Sequence, residues 1–275
     1  MGLSTYIIFG GVTHYNAYGY FYIQDAEQHK ALNRYVGRLL TLLRNAKPDT
    51  NVAVYYPIAQ MQSLFALREL KHGEREKDAV DLLPETDEME NDMELLNDKL
   101  LNSGFDYHII DEDHFLQAQL GDGLTCGLVH ADTLIVPFSE FLPVPVLEKI
   151  KDFASAGGKV IFLKTLPRFD ESGRDEELTE LLHSIPYTFV PDFDALPGEI
   201  TYPRGITFKA ENMLMSPYVL NGKRFWYVIN KTEEDITVEA TGKGTLYDPE
   251  HDVWSPLEKT FVLPAERGMI IFEEA

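Results

Sequence analysis

The chain has 275 residues, more than one domain usually needs, so two domains with a core each are expected. Hydrophobic residues at 44% and charged residues at 25% exclude a disordered chain, and the single cysteine, Cys126, excludes an internal disulfide and any multi-cysteine metal cluster. A net charge of −21 opposes attraction to phosphate backbones and anionic lipid, so neither nucleic acid nor a membrane is an expected partner.

No apolar run reaches the ~20 residues that span a bilayer, and no basic stretch followed by an apolar one opens the sequence. The chain as it stands is expected to be soluble and cytoplasmic, with the compartment of any longer parent left open. Residues 5–9, Thr-Tyr-Ile-Ile-Phe, form a short β-like run, followed by a dense aromatic stretch with Tyr15, Tyr18, Tyr20, Phe21 and Tyr22. Asp25 is placed to cap a helix with Gln28 three positions on, and Leu32, Tyr35, Val36, Leu39, Leu40 and Leu43 recur at helical spacing before Pro48.

Strand-like runs at 52–56, 107–110, 133–136, 159–163 and 187–190 then alternate with helical segments at 59–70, 87–102, 113–120, 144–156 and 176–183. This alternation predicts a parallel sheet with helices on both faces. Gly157 and Gly158 close the fourth of these helices. Residues 191–205, rich in Pro, Gly and Asp, read as a linker. Beyond it the helical period vanishes. Short runs at 213–220, 224–229, 236–240, 244–247, 259–263 and 268–272, separated by turns such as Asn221-Gly222 and Asp248-Pro249, predict a small antiparallel β-sandwich.

The runs 131–137 (Ala-Asp-Thr-Leu-Ile-Val-Pro), 146–153 (Val-Leu-Glu-Lys-Ile-Lys-Asp-Phe) and 156–162 (Ala-Gly-Gly-Lys-Val-Ile-Phe) resemble the class I amidotransferase-like domain that follows the barrel in family 42 β-galactosidases, where it is called the trimerisation domain. Residues 32–39 and 51–57 are similar to the junction between barrel and sheet domain in those enzymes and in family 106 rhamnosidases. In the sandwich, 226–230 and 246–250 are similar to a strand ending in Asn and an Asp-Pro turn of many glycoside hydrolase C-terminal domains. The resemblance implies a remnant of a barrel end at 1–24, a flavodoxin-like or class I amidotransferase-like α/β domain at 25–195 and a β-sandwich at 205–275. It also implies a non-catalytic accessory and assembly part of a glycoside hydrolase, forming a homo-oligomer or docking to a catalytic barrel. These residues include neither that barrel nor the two carboxylates glycoside hydrolysis usually needs, and no cofactor or metal is expected.

Residues 10–16, with the aromatic stretch after them, resemble the last strand and loop of such a barrel. His14, Tyr15 and Tyr18 are therefore the candidate sugar contacts, since aromatic faces stack on sugars. The alternative is a vestigial or docking surface. Cys126 is the obvious nucleophile candidate on an amidotransferase-like sheet. However, the resemblance puts the nucleophile after the strand 159–163, where the sequence reads Leu163-Lys164-Thr165, and Cys126 is read as structural. Asp111-Glu112-Asp113-His114 is either an oxygen-rich metal site or a helix N-cap with an acidic first turn, and the cap needs no ligand. The acidic stretch 85–94 reads as a solvated helix face or loop, and His108 and His130 as packing or capping residues. Two other functions stand against the accessory reading: an independent hydrolase or amidotransferase-like enzyme, and a carbohydrate-binding module resting on Trp226, Tyr227 and Trp254. Seven aromatic residues between Tyr6 and Tyr22 make a strip that either folds back onto the sheet domain or is buried between copies, and the second, favoured outcome would drive assembly.

Overall fold

A computed structural model describes residues 2–10, 25–67, 80–82, 84–170, 173 and 176–274. They fall into two compact units, one within Met1–Asp49, Leu101–Asp106 and Tyr202–Ala275, the other within Thr50–Leu100 and Tyr107–Thr201.

The chain opens with helices α1 (Gly2–Phe9) and α2 (Ala26–Leu43) and a two-residue strand, β1 (Lys47–Pro48). Helix α1 corrects the β-like run expected at 5–9. The Ile pair favours a strand locally, but tertiary burial overrides it: Ile8 and Phe9 are buried, and the Thr5 hydroxyl is hydrogen-bonded to the Tyr35 hydroxyl at 2.8 Å. Helix α2 starts as expected, the Asp25 carboxylate accepting from the Glu27 N–H at 2.8 Å. Its buried stripe of Tyr35, Val36, Leu39, Leu40 and Leu43 packs with Leu214, Phe225, Tyr227 and Ile270 of the later strands. The helix expected to open the α/β domain therefore belongs to the sandwich unit.

The α/β unit runs β2 (Val52–Tyr55), α3 (Ile58–Ser63), the antiparallel pair β3 (Phe65–Leu67) and β4 (Val80–Leu82), α4 (Pro84–Asn102), β5 (His108–Ile110) and α5 (Glu112–Gln117). A three-stranded antiparallel sheet follows, β6 (Gln119–Gly121), β7 (Gly123–Cys126) and β8 (Val129–Ala131). Then come β9 (Thr133–Pro137), α6 (Val144–Ser155), β10 (Lys159–Leu163), α7 (Glu176–His183), β11 (Thr188–Val190) and α8 (Leu196–Glu199).

Five of these strands form an all-parallel sheet in the order β11-β10-β9-β2-β5. Counted among themselves they stand 2-1-3-4-5, the flavodoxin-like order. Right-handed crossovers put α4 on one face and α5, α6 and α7 on the other. The second group shares one core with Ala53, Tyr55, Leu134, Val136, Val160 and Phe162, while Val52, Val54, Ile135 and Ile161 are buried on the opposite face.

Two expected helices are shorter than read. The helix at 59–70 stops at Ser63, whose hydroxyl bonds back to the Gln60 carbonyl at 2.7 Å, and residues 65–67 pair as a strand. The helix at 113–120 stops at Gln117, because Ala118 turns to an extended backbone and residues 119–121 enter β6. The expected linker at 191–205 is packed: Leu196 and Ile200 are buried, and the Arg204 guanidinium donates to the Ser103 carbonyl at 2.7 Å.

The sandwich unit is completed by β12 (Thr207–Lys209), β13 (Met213–Leu220), β14 (Lys223–Asn230), β15 (Ile236–Thr241), β16 (Gly244–Asp248), β17 (Val253–Pro256), β18 (Thr260–Leu263) and β19 (Gly268–Glu273). A six-stranded sheet, β1-β13-β14-β19-β16-β17, faces a three-stranded one, β12-β15-β18. Alternate side chains divide the large sheet between two cores. Met213, Met215, Trp226, Val228 and Ile271 pack with Val238 and Leu263 of the small sheet, and Phe225, Tyr227 and Ile270 pack under α1 and α2.

Candidate functional site

Open α/β sheets bind ligands beyond the carboxyl ends of the strands, where the strand order reverses. Here that place lies between β2 and β9, and a cavity of about 260 Å³ occupies it. Its walls are Gln60 and Leu64 from the segment after β2, Phe138 and Glu140 after β9, Lys164 and Thr165 after β10, and Glu88, Met89 and Asp92 of α4. The Gln60 side chain accepts from the Phe141 N–H at 2.6 Å, which ties the loop after β9 to α3.

Two residues at these strand ends have left-handed backbones, Phe138 with φ 34° and Lys164 with φ 71°. At Lys164 the Thr165 N–H reaches the Leu163 carbonyl at 2.9 Å, making a tight γ-turn that is strained for a residue with a Cβ. This is a sharp strand-ending turn of the kind on which such sheets present a nucleophile. It follows strand β10 (Lys159–Leu163), after which the resemblance puts the nucleophile, and a lysine occupies it.

The Lys164 ammonium donates to Asp92 Oδ2 at 2.6 Å and to Glu88 Oε1 at 2.9 Å. Partial burial works against its charge, but hydrogen bonds and charge from the two carboxylates prevail and hold its pKa above the ordinary 10.5. An ammonium so held is neither nucleophile nor base at neutral pH.

The stretch 85–94 lies in α4 with Asp87, Glu88, Glu90 and Glu94 exposed, as the helix-face reading expects, but Asp92 departs from it, its side chain 9% exposed. In α4 this residue lies on the stripe Met89, Asp92, Leu96 and Leu100, all buried. A carboxylate on an apolar stripe at helical spacing is the signal that could have found it.

The other candidates divide between cap, core and surface. Asp111 caps α5, accepting from the His114 N–H at 2.9 Å and meeting its Nδ1 at 2.7 Å, and these bonds hold its carboxyl below the usual range. Glu112 accepts from the Tyr55 hydroxyl at 3.4 Å, and burial together with that carboxylate pushes Tyr55 up. Cys126 stands opposite Val129 in the β7–β8 pair and packs on the α/β core. His130 pairs with Thr125, one position along, so it faces the other side of the strand from the thiol and is not placed as its base. Among the described residues no group of three or more His, Cys, Asp or Glu could hold a metal ion. His108 begins the edge strand β5. His14, Tyr15 and Tyr18 lie outside the described residues.

Trp226 and Tyr227 are fully buried, so neither is a platform for a ligand, whereas Trp254 is 52% exposed. No described helix is long and apolar enough to cross a membrane.

No family model and no curated protein matches this sequence. Solved structures do. A catalytic mutant of Gan42B, a GH42 β-galactosidase from G. stearothermophilus, superposes with a TM-score of 0.62 at 10% identity, over 90% of this chain and 43% of that one. A cold-adapted β-galactosidase from Rahnella sp. R3 gives 0.58 at 14% identity, over 88% of this chain and 44% of that one. A rhamnosidase from Novosphingobium sp. PP1Y gives 0.56 at 16% identity, over 90% of this chain and 24% of that one. This chain thus has the fold of a part of several glycoside hydrolases and spans less than half the length of each.

Proposed function

We propose that the chain is a non-catalytic accessory and assembly region of a carbohydrate-acting glycoside hydrolase, working by contact with a catalytic barrel or with further copies of itself. The observation that carries this reading is the occupant of the turn after β10. Where an amidotransferase-like sheet needs a thiol or hydroxyl beside a base, this chain has the Lys164 ammonium neutralised by Asp92 and Glu88. The fold shared with two β-galactosidases and a rhamnosidase supports the sugar-processing setting, and the partial span supports docking to a further domain. In that setting His14, Tyr15 and Tyr18 are proposed as sugar contacts of the assembled enzyme. No cofactor enters the reading.

The test is turnover by the purified full chain. Aryl β-galactosides, aryl α-rhamnosides, and simple amides and esters are each followed with the wild type, Cys126→Ser and Lys164→Met. Rates equal to buffer in all three proteins are expected, with Cys126→Ser folding as the wild type does. Turnover by the wild type that either substitution abolishes would mean that the sheet carries chemistry of its own.

A further inference from the structure

The sandwich unit has a concavity of about 700 Å³ on its six-stranded sheet, and its aromatic wall is Trp254 with Phe272. This is within the ~300–1,000 Å³ of ordinary small-molecule sites. The Tyr247 ring stacks on one face of the Trp254 indole at 4.4 Å between centroids, and Phe272 packs at 5.7 Å. Since Trp254 stays 52% exposed with one face covered, the opposite face is the open one. Tyr247 is itself held in place, buried, with its hydroxyl donating to Asp252 at 2.9 Å and Asp252 paired with Arg38 at 3.3 Å. The platform is therefore fixed before any ligand arrives, which lowers the entropy cost of binding.

The rim is polar. Asn221 and Gly222, at φ 52° and 77°, make a tight hairpin turn that starts β14 with Lys223 at the mouth. Across the opening stand Thr245 and Glu274. Arg224 and Glu273 also line the space but are engaged elsewhere: Arg224 bonds Asp49, and Glu273 accepts from the Trp226 indole N–H at 2.6 Å. With Arg224 neutralised, the rim offers the Lys223 ammonium and the Thr245–Glu274 pair, whose hydroxyl donates to the carboxylate at 3.5 Å, and charges of both signs select against an anion and against a purely apolar ligand. An electron-rich aromatic face ringed by hydrogen-bonding groups matches a pyranose, whose C–H face is apolar and whose hydroxyls project at its edge.

We infer that this concavity is a binding site for a neutral oligosaccharide, one pyranose stacking on the open face of Trp254 while Lys223, Thr245 and Glu274 meet its hydroxyls. The inference stands on the sandwich unit alone and is independent of the function proposed for the sheet.

The chain has two tryptophans, and Trp226 is fully buried, so sugar-dependent changes in emission report on Trp254. The full chain is titrated with lactose, cellobiose and mannobiose while emission and acrylamide quenching are recorded. At least one disaccharide is expected to shift the emission and shield the indole, with a Kd on the order of 1 mM for one stacked ring. Because substituting Trp254 also removes the reporter, variants are read by isothermal titration calorimetry: Trp254→Ala abolishes the binding heat while the Trp226 emission shows the fold intact. In the same calorimetric titration Trp254→Phe, which keeps a smaller platform, retains weakened binding, as does the rim variant Lys223→Ala. An unchanged wild-type emission up to the solubility limit of all three sugars would overturn the assignment, and so would a calorimetric affinity that is unchanged in Trp254→Ala.

Discussion

Lys164 combines a left-handed backbone at the end of a central strand with an ammonium bonded to two carboxylates, one of them nearly buried. Removing the cation leaves the Asp92 carboxylate without its strongest partner in a poorly solvated place, whereas removing both charges leaves nothing uncompensated. Lys164→Met is expected to lower stability by ~1–3 kcal/mol in urea unfolding, and Asp92→Asn with Lys164→Met to cost less than the sum of the single changes. The pH dependence follows from the raised pKa of Lys164. Its contribution is complete below the ordinary 10.5 and is lost as pH rises through the folded value, so the wild-type excess over Lys164→Met should be flat near neutrality and shrink only in strong alkali. Additive single changes would mean that the pair contributes nothing. The turn was not legible in the residues Leu163-Lys164-Thr165, which carry no glycine; only the resemblance pointed to the end of this strand. Nor was Asp92, because six acidic residues within 85–94 mask the one that lies on the buried stripe.

Helix ends were read well where glycine or a capping carboxylate punctuates them, and poorly where tertiary packing decides. Helix α6 ends in a Schellman motif: the Gly158 N–H reaches the Phe153 carbonyl and the Gly157 N–H the Ala154 carbonyl, each at 3.0 Å. Gly157 has φ 98°, and a Cβ on Gly158 would lie 2.3 Å from the Phe153 ring. Gly157→Ala is therefore expected to cost ~1–2 kcal/mol in backbone strain. Gly158→Ala should cost at least as much through overpacking, a loss that Phe153→Leu partly relieves. Thermal unfolding of the single variants and of Gly158→Ala with Phe153→Leu decides this; equal melting of wild type and Gly158→Ala would remove the packing argument. No comparable punctuation marks α1 or the early stop of α3. Their limits depend on the burial of Ile8 and Phe9 and on the pairing of 65–67, partners far away or outside the local window.

At the scale of the whole chain, the five parallel strands and the sandwich were legible because β-branched runs alternate first with helices and then with turns. The order 2-1-3-4-5 and the membership of α2 in the sandwich unit were not, since both depend on which distant faces pair. Phe9 of the aromatic strip goes into the core of its own unit, and Tyr15, Tyr18, Tyr20, Phe21 and Tyr22 lie outside the described residues. Leu128 at the β7–β8 turn and Ile109 on the edge strand β5 are exposed apolar side chains elsewhere on the described surface. An accessory region acting by assembly should associate, provided the contact reaches the ~1,200 Å² of specific interfaces. Light scattering coupled to gel filtration measures this directly on the purified chain. The account predicts a mass of two or three chains at micromolar concentration. A strictly monomeric mass there would contradict it.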